Sequence, residues 1–308
     1  MSEVETPSQI KSSYIGRFAP SPTGSLHFGS LVSALASYLD AHHNGGKWLV
    51  RMEDLDPPRE QAGAADAILR CLEDYGLEWD DSVLYQSQRW DIYEDYLTRL
   101  RQQDLLYSCD CTRQDLQTMG GIYNGRCRTR HVDSNLPHAQ RLKLYDLPAG
   151  FRHQDELRFT DVIQGEQTQN LRTHAGDQIL KRKDGLYAYQ LAVVVDDIEQ
   201  GITHIIRGSD LLEVTARQIF LFKLLGAATP AFGHVTLASQ PNGQKLSKQN
   251  LAPALELKDA GTNLWQALAF LGQNPPQELC GTMPEELLDW GKANWNRNAI
   301  RGLSKVYA

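Results

Sequence analysis

The spacing of apolar positions changes abruptly within the first fifty residues. SYIGRF (13–18) alternates weakly and predicts a short strand. APSPTG cannot continue it, because proline brings no donor to a ladder. From Phe28 the apolar residues fall three and four apart (Phe28, Leu31, Val32, Leu35, Ala36, Leu39), which is one face of a helix. Asn44-Gly45-Gly46 supplies its C-terminal cap, and KWLVRME (47–53) predicts a second strand. Residues 13–53 thus read as strand, loop, helix and strand, the crossover unit of a parallel sheet. Helices are expected at 62–75, 88–103 and 215–226 (TARQIFLFKLLG), and strands near 140–182. LWQALAFLG (264–272) and PEELLDW (284–290) predict two short amphipathic helices after them.

The Pro/Gly-rich loop is a candidate for chemistry. A loop running from a strand end into a helix N-terminus presents unpaired backbone N–H groups and a partial positive charge, which suit a phosphate. His27 stands at the helix entrance, where it either adds a hydrogen bond to that phosphate or caps a surface helix. Gly29 lets a nucleotide approach closely. A second candidate is PNGQKLSKQNLAP (241–253), with Lys245 and Lys248 three apart beyond Gly243. Two ammonium groups on such a loop can neutralise a polyphosphate leaving group.

Composition narrows the class. The 308 residues, 41% hydrophobic and 22% charged, can bury a sizeable core. Residues 1–12 lack the apolar run of a signal peptide, and no later run is long enough for a membrane span. Five cysteines in this length do not suggest a secreted disulfide framework, so the cytoplasm is the expected compartment. The net charge of −7 gives no general attraction to nucleic acid. An RNA partner must therefore use local patches, and neither DNA nor a membrane is expected as a partner. No G-x-G-x-x-G follows a strand, which disfavours a dinucleotide oxidoreductase.

Cys109-Asp110-Cys111 and Cys127 place three thiols within nineteen residues on a Gly-rich polar segment (GGIYNGRC). That pattern suits a structural zinc knuckle, in which metal orders a loop with little core of its own. Tyr123 and His131 both lie at spacings that permit a fourth ligand. Arg126, Arg128, Arg130 and His131 either meet an RNA backbone or form a solvated face. Cys71, on an amphipathic helix, and Cys280 are read as bystanders.

Taken together, RFAPSPTGSLHFGS (17–30) and KLSKQ (245–249) resemble the two signature motifs of class I aminoacyl-tRNA synthetases, in the form found in the glutamyl and glutaminyl branch. The last histidine of the first signature is absent here, as is common in the glutamyl branch. The resemblance extends in order through VRMEDLDPPRE (50–60), LYAYQLAVVVDD (186–197) and IIRGSDLL (205–212). Only 60 residues follow Lys248, where full synthetases carry a large anticodon-binding region. With the C-x-C cluster, this is similar to the glutamyl-Q tRNA(Asp) synthetase family.

That resemblance implies an α/β, class I Rossmann-type catalytic fold whose halves are 14–105 and 186–253. A zinc-bearing insertion (106–185) would separate them, and a short helical C-terminal region (254–308) without an anticodon-binding domain would follow. It implies tRNA-independent activation of L-glutamate by ATP with Mg²⁺, then transfer to the queuosine base in the anticodon of tRNA(Asp). Glu53 would meet the substrate ammonium, and Arg207 the side-chain carboxylate, a pairing that guanidinium geometry favours. Tyr189, Arg17, Phe18, Ala19, Pro20 and Ser21 would complete the glutamate pocket. His27, Gly29 and Lys248 would bind ATP, with His27, Lys245 and Lys248 stabilising the reacting phosphates. The family pattern C-x-C-x11-Y-x3-C points to Tyr123 as fourth zinc ligand beside Cys109, Cys111 and Cys127. Three rivals stay open: a shortened conventional glutamyl-tRNA synthetase, an adenylyltransferase acting on a small acid, and a non-catalytic tRNA- or protein-binding paralogue.

Overall fold

A computed structural model describes residues 14–133, 135–149, 155–239, 253–302 and 304–306. The opening crossover is present. Strand β1 (Ile15–Phe18) leads through the Pro/Gly loop into helix α1 (Phe28–His43), and β2 (Lys47–Met52) returns parallel to β1. Asn44 caps α1, and Gly45 beyond it has φ +65°. Helix α2 (Ala64–Asp74) then leads to β3 (Leu84–Tyr85), parallel to β2, followed by α3 (Trp90–Gln102).

The chain next leaves the parallel sheet. Strand β4 (Leu106–Cys109), the short helix α4 (Arg113–Thr118) and β5 (Ala139–Leu142) come first. An antiparallel hairpin, β6 (Glu156–Asp161) and β7 (Gly165–Asn170), precedes β8 (Gln178–Lys181). β4, β5 and β8 form an antiparallel ladder with β5 at its centre. The hairpin packs instead beside the strand that later ends at Val235, where Val162 N–H donates to the Phe232 carbonyl at 2.8 Å.

Helix α5 (Tyr189–Glu199) brings the chain back. Strand β9 (His204–Gly208), α6 (Leu212–Leu224) and β10 (Ala231–Val235) form a second parallel crossover. The two parallel ladders meet between β1 and β9, where Thr203 N–H donates to the Ile15 carbonyl and Thr203 Oγ1 accepts from Ile15 N–H. Both faces are covered, so neighbouring residues of one strand enter different cores. Val50 and Ile206 join the cluster around α1, whereas Leu49 and Ile205 join the cluster around α3, α5 and α6. Near-continuous apolar strands such as WLV and HII follow from that double burial.

Strand β11 (Leu237–Ser239) precedes helices α7 (Ala260–Phe270) and α8 (Pro284–Asn294), and β12 (Ser304–Val306) pairs with β11. The two C-terminal helices share the core of α1: Leu264, Leu268 and Leu287 are buried with Leu31, Leu35 and Leu39. Asp40, fully buried on α1, fastens them. It accepts from Tyr14 Oη, from Trp295 Nε1 at 2.8 Å and from Arg297 Nε at 2.7 Å. Among the described residues, no helix is long and apolar enough to cross a membrane.

Candidate active site

The carboxyl ends of β1, β2 and β9 open onto one cavity of about 600 Å³. This is where parallel α/β sheets place their ligands. β1 contributes Arg17 and Phe18, and the loop after it contributes Ala19, Pro20 and Ser21. His27 and Gly29 line the cavity at the start of α1, Glu53 follows β2, Tyr189 begins α5, and Arg207 stands one residue before the end of β9. The residues expected to hold glutamate and ATP, among those described, thus line a single space. Lys245 and Lys248 lie outside the described residues.

The loop is held by backbone bonds that its prolines cannot donate but can accept. Glu53 N–H donates to the Pro20 carbonyl at 2.9 Å, and Gln61 N–H to that of Pro22 at 3.0 Å. Gly24 has φ +137°, a backbone conformation that other residues rarely adopt. His27 is the N-cap of α1, its Nδ1 accepting from Ser30 N–H at 3.3 Å. In the neutral ring this leaves the proton on Nε2, as a donor suited to an anion. The first turn of α1 carries no acidic residue to oppose one.

Beneath the cavity lies a buried charge cluster. Asp197 on α5 accepts from Arg17 Nε at 3.2 Å and from Arg51 Nη2 at 2.8 Å. Burial works against its ionisation, but the two guanidinium groups hold its carboxyl below the usual range. Its neighbour Asp196 accepts from Gln86, Arg89 and Tyr93 at 2.6 to 2.8 Å. Glu53 lies 3.8 Å from Arg51, with its side chain only 9% exposed. Burial pushes its carboxyl up to about 7 despite Arg51 and Arg17. Burial, reinforced by the Glu53 charge, also raises the Tyr189 hydroxyl. Arg207 Nη2 donates to Thr215 Oγ1 at 2.8 Å and Gln218 Oε1 at 2.7 Å, which fixes its plane. A buried carboxylate and a fixed guanidinium lining one cavity can select a ligand with an ammonium and a distant carboxylate.

A second cavity of about 620 Å³ adjoins the first and shares Ser21, Thr23, Glu53 and Tyr189 with it. Asp56, Arg59, Arg182 and Tyr187 line its outer part.

The model for class I tRNA synthetases (E and Q), catalytic domain, matches residues 15–272. The glutamyl-Q tRNA(Asp) synthetase of Pseudomonas fluorescens strain Pf-5 is 52% identical over 294 residues, covering 94% of each chain. The chain belongs to the glutamyl-Q tRNA(Asp) synthetase family. A member from Neisseria meningitidis serogroup C is 50% identical over 296 residues, 93% of this chain and 97% of that one. The crystal structure of a glutamate-tRNA synthetase from Elizabethkingia anophelis superimposes with a TM-score of 0.79 at 26% identity. It is matched over 96% of this chain and 68% of its own. The fold is therefore the class I Rossmann-type catalytic fold, with its parallel core sheet and C-terminal helices.

The three cysteines of the motif also come together. The sulfurs of Cys109, Cys111 and Cys127 lie within 4.8 Å of one another. The Tyr123 oxygen is 3.6 Å from Cys109 Sγ and accepts from Cys127 N–H at 2.8 Å. His131 is exposed and contributes no atom to this cluster. Gly176 supports Tyr123 from behind, since a Cβ there would come within 2.5 Å of the Tyr123 carbonyl. Three thiols and a phenolic oxygen form a donor set that can coordinate a soft divalent metal. Cys71 is half-buried in the core beside α1, where burial pushes its thiol up to about 11, and Cys280 is exposed.

Three arginines of this segment have carboxylate partners. Arg128 bonds Asp177 through two nitrogens at 2.6 Å, Arg126 meets Asp115 at 3.2 Å, and Arg130 pairs with Asp110. Several structurally central residues carried no assignment in the sequence: Arg51, Asp196, Asp197, Thr215, Gln218 and His234. One signal was available, the pair of acids closing the apolar run LAVVV.

Proposed function

We propose that this chain activates L-glutamate with ATP, without tRNA, and passes it to the queuosine base in the anticodon of tRNA(Asp). In the first step an oxygen of the glutamate α-carboxylate attacks the α-phosphorus. The bond to pyrophosphate breaks and its electron pair leaves with pyrophosphate, giving glutamyl-adenylate. In the second, a hydroxyl of the modified base attacks the activated carbonyl and AMP departs.

The observation that carries this reading is the single cavity joining Glu53, Arg207, Tyr189 and Arg17 to the helix entrance at His27. Glu53 receives the substrate ammonium, and Arg207 its side-chain carboxylate. Tyr189 and the segment Arg17, Phe18, Ala19, Pro20 and Ser21 wall the pocket. His27 and Gly29 face the ATP phosphates, which Mg²⁺ accompanies, and Lys245 and Lys248 take the charge of the leaving pyrophosphate. No protein nucleophile is required; positioning and charge stabilisation suffice. The second cavity, which shares Tyr189 with the first, admits the acceptor base, and Arg59 and Arg182, paired at the surface with Asp56 and Asp184, can turn to its RNA backbone.

Residues 106–185 act as an insertion between catalytic halves 14–105 and 186–253, with 254–308 as a helical C-terminal region. Within the insertion, Cys109, Cys111, Cys127 and Tyr123 hold one structural zinc ion. Metal there would order a segment whose own buried cluster is small. The cytoplasm is the expected compartment, consistent with five cysteines of which none forms a disulfide.

Labelled glutamate and ATP, offered with tRNA from cells that make queuosine and from cells that do not, test the reading. Label in the first tRNA alone is the expected result. Equal labelling would favour conventional charging at the 3′ end, and no labelling would refute the acceptor. Pyrophosphate exchange with glutamate alone tests the first step.

A further inference from the structure

Arg207 is held on one side by a buried relay that the glutamate reading does not itself require. Its Nε donates to His234 Nε2 at 3.0 Å, and His234 Nδ1 lies 2.5 Å from Asp161 Oδ2. His234 and Asp161 come from β10 and the end of β6, and both are at most 1% exposed. Asp161 also accepts backbone N–H groups from Ile163, Gln164 and His234 at 2.8 to 3.1 Å. Those bonds and the imidazole hold its carboxyl below the ordinary range although burial opposes it.

The bonding pattern selects one tautomer. An ionised Asp161 only accepts, so Nδ1 must carry the proton. Arg207 only donates, so Nε2 must be the bare acceptor. Burial and the facing guanidinium both depress the His234 pKa, which keeps the ring neutral. With Nε on His234 and Nη2 on Thr215 and Gln218, the guanidinium plane is fixed on two sides. The remaining nitrogen, Nη1, has no partner among the described residues.

We propose that His234 is a positioning residue for substrate selection: oriented by Asp161, it locks Arg207 so that Nη1 meets the side-chain carboxylate of glutamate. This rests on the reading of Arg207 as the carboxylate partner. A histidine in the sequence AFGHVT on a buried strand would otherwise be replaceable by any apolar residue of similar size. The hairpin β6–β7 then has a purpose beyond covering the sheet, since its first strand carries Asp161 to the back of the pocket.

Pyrophosphate exchange on the full chain separates the possibilities. His234→Leu removes the acceptor, and His234→Asn keeps a donor for Asp161 but cannot reach Arg207. Both should raise the KM for glutamate ~10-fold or more, as loss of a hydrogen bond to a charged group does, with the KM for ATP within about twofold. His234→Gln, whose amide oxygen can take the place of Nε2, should recover most of the loss and restore rejection of glutamine. Where the leucine variant does not fold, the asparagine and glutamine pair carries the comparison. Equal rises in both KM values, or a glutamine variant as poor as asparagine, would overturn the proposal. Arg207→Gln is the control. If it raises the glutamate KM while the His234 variants do not, the relay alone is refuted. If it leaves that KM unchanged, the pocket reading fails and the relay with it.

Discussion

Replacing Glu53 by glutamine separates what the carboxylate does for the substrate from what it costs the fold. Burial dominates at this position and raises the carboxyl; Arg51 and Arg17 oppose it, and Asp197 and Asp196 raise it further, so that it stands at about 7 against an ordinary 4.5. A carboxyl raised on folding favours the folded state fully below pH 4.5, where both states hold the proton. That contribution is lost as pH rises through 7, because the unfolded chain releases its proton first. At ~1.4 kcal/mol per pKa unit, ionised Glu53 costs the folded protein roughly 3 kcal/mol above pH 7. Glutamine has nearly the same shape and no charge to desolvate. Glu53→Gln should therefore match the parent near pH 4.5 and exceed it by ~3 kcal/mol at pH 8, a gain of roughly 6 °C in Tm.

Activity should move the opposite way. With no carboxylate for the substrate ammonium, the glutamate KM in pyrophosphate exchange should rise ~10- to 100-fold, with the KM for ATP little changed. In the parent, kcat/KM for glutamate should climb with pH through about 7, since that profile reports the free enzyme. The variant should lack that limb. Paired melts from pH 4.5 to 8.5 and exchange kinetics on the same samples give both readings. A stability difference independent of pH, or an unchanged glutamate KM, would refute the reasoning.

Lys248→Ala should depress the maximal exchange rate far more than glutamate binding measured at equilibrium; equal losses would count against a leaving-group role. Asp197→Asn strands Arg17 and Arg51 in the interior and should cost ~3–5 kcal/mol in urea unfolding, together with a higher glutamate KM as Arg17 loses its anchor. Purified protein should hold one zinc per chain by elemental analysis. Chelation should lower Tm, and Cys109→Ser and Tyr123→Phe should each reduce the metal content. Arg182→Ala should leave tRNA-independent exchange unchanged while raising the KM for the queuosine-containing tRNA several-fold, as loss of one phosphate contact does.

The parts legible in the sequence were those whose causes are local. Helix α1 shows an unbroken apolar stripe, a polar N-cap in His27 and glycines just past its end, so its limits could be read to within a residue or two. The two C-terminal helices were visible in their periodicity, but their packing on α1 was not. It depends on Asp40, which looks like a solvated acid until Trp295 and Arg297 are placed against it. Arg126, Arg128 and Arg130 show the converse. A run of cations reads either as a surface for RNA or as a solvated face, and each meets a carboxylate: Arg128 a buried one, Arg126 and Arg130 partly exposed ones. Sequence gives the sign of a charge and not its partner. The hairpin β6–β7 lies between β5 and β8 in sequence but packs against β10. No pattern within 156–170 announces that Asp161 will meet a histidine more than seventy residues later.

The pair Asp196 and Asp197 shows why these distances in sequence matter. One helix turn places two fully buried carboxylates side by side, an arrangement that costs several kcal/mol unless each is well paired. Asp197 is satisfied by Arg17 and Arg51 from β1 and β2, and Asp196 by Gln86, Arg89 and Tyr93 from the approach to α3 and its first turn. All five partners precede β4, and both aspartates follow β8. Drawing α5 away from β1 and β2 would leave buried charges of both signs without partners at once. Arg17 lines the cavity, Glu53 sits beside Arg51, and Tyr189 heads the helix that bears both acids. The same clasp that joins the two halves of the sheet therefore sets the positions of the groups assigned to glutamate. Arg207 is held apart from this clasp, through His234, by Asp161 at the end of β6.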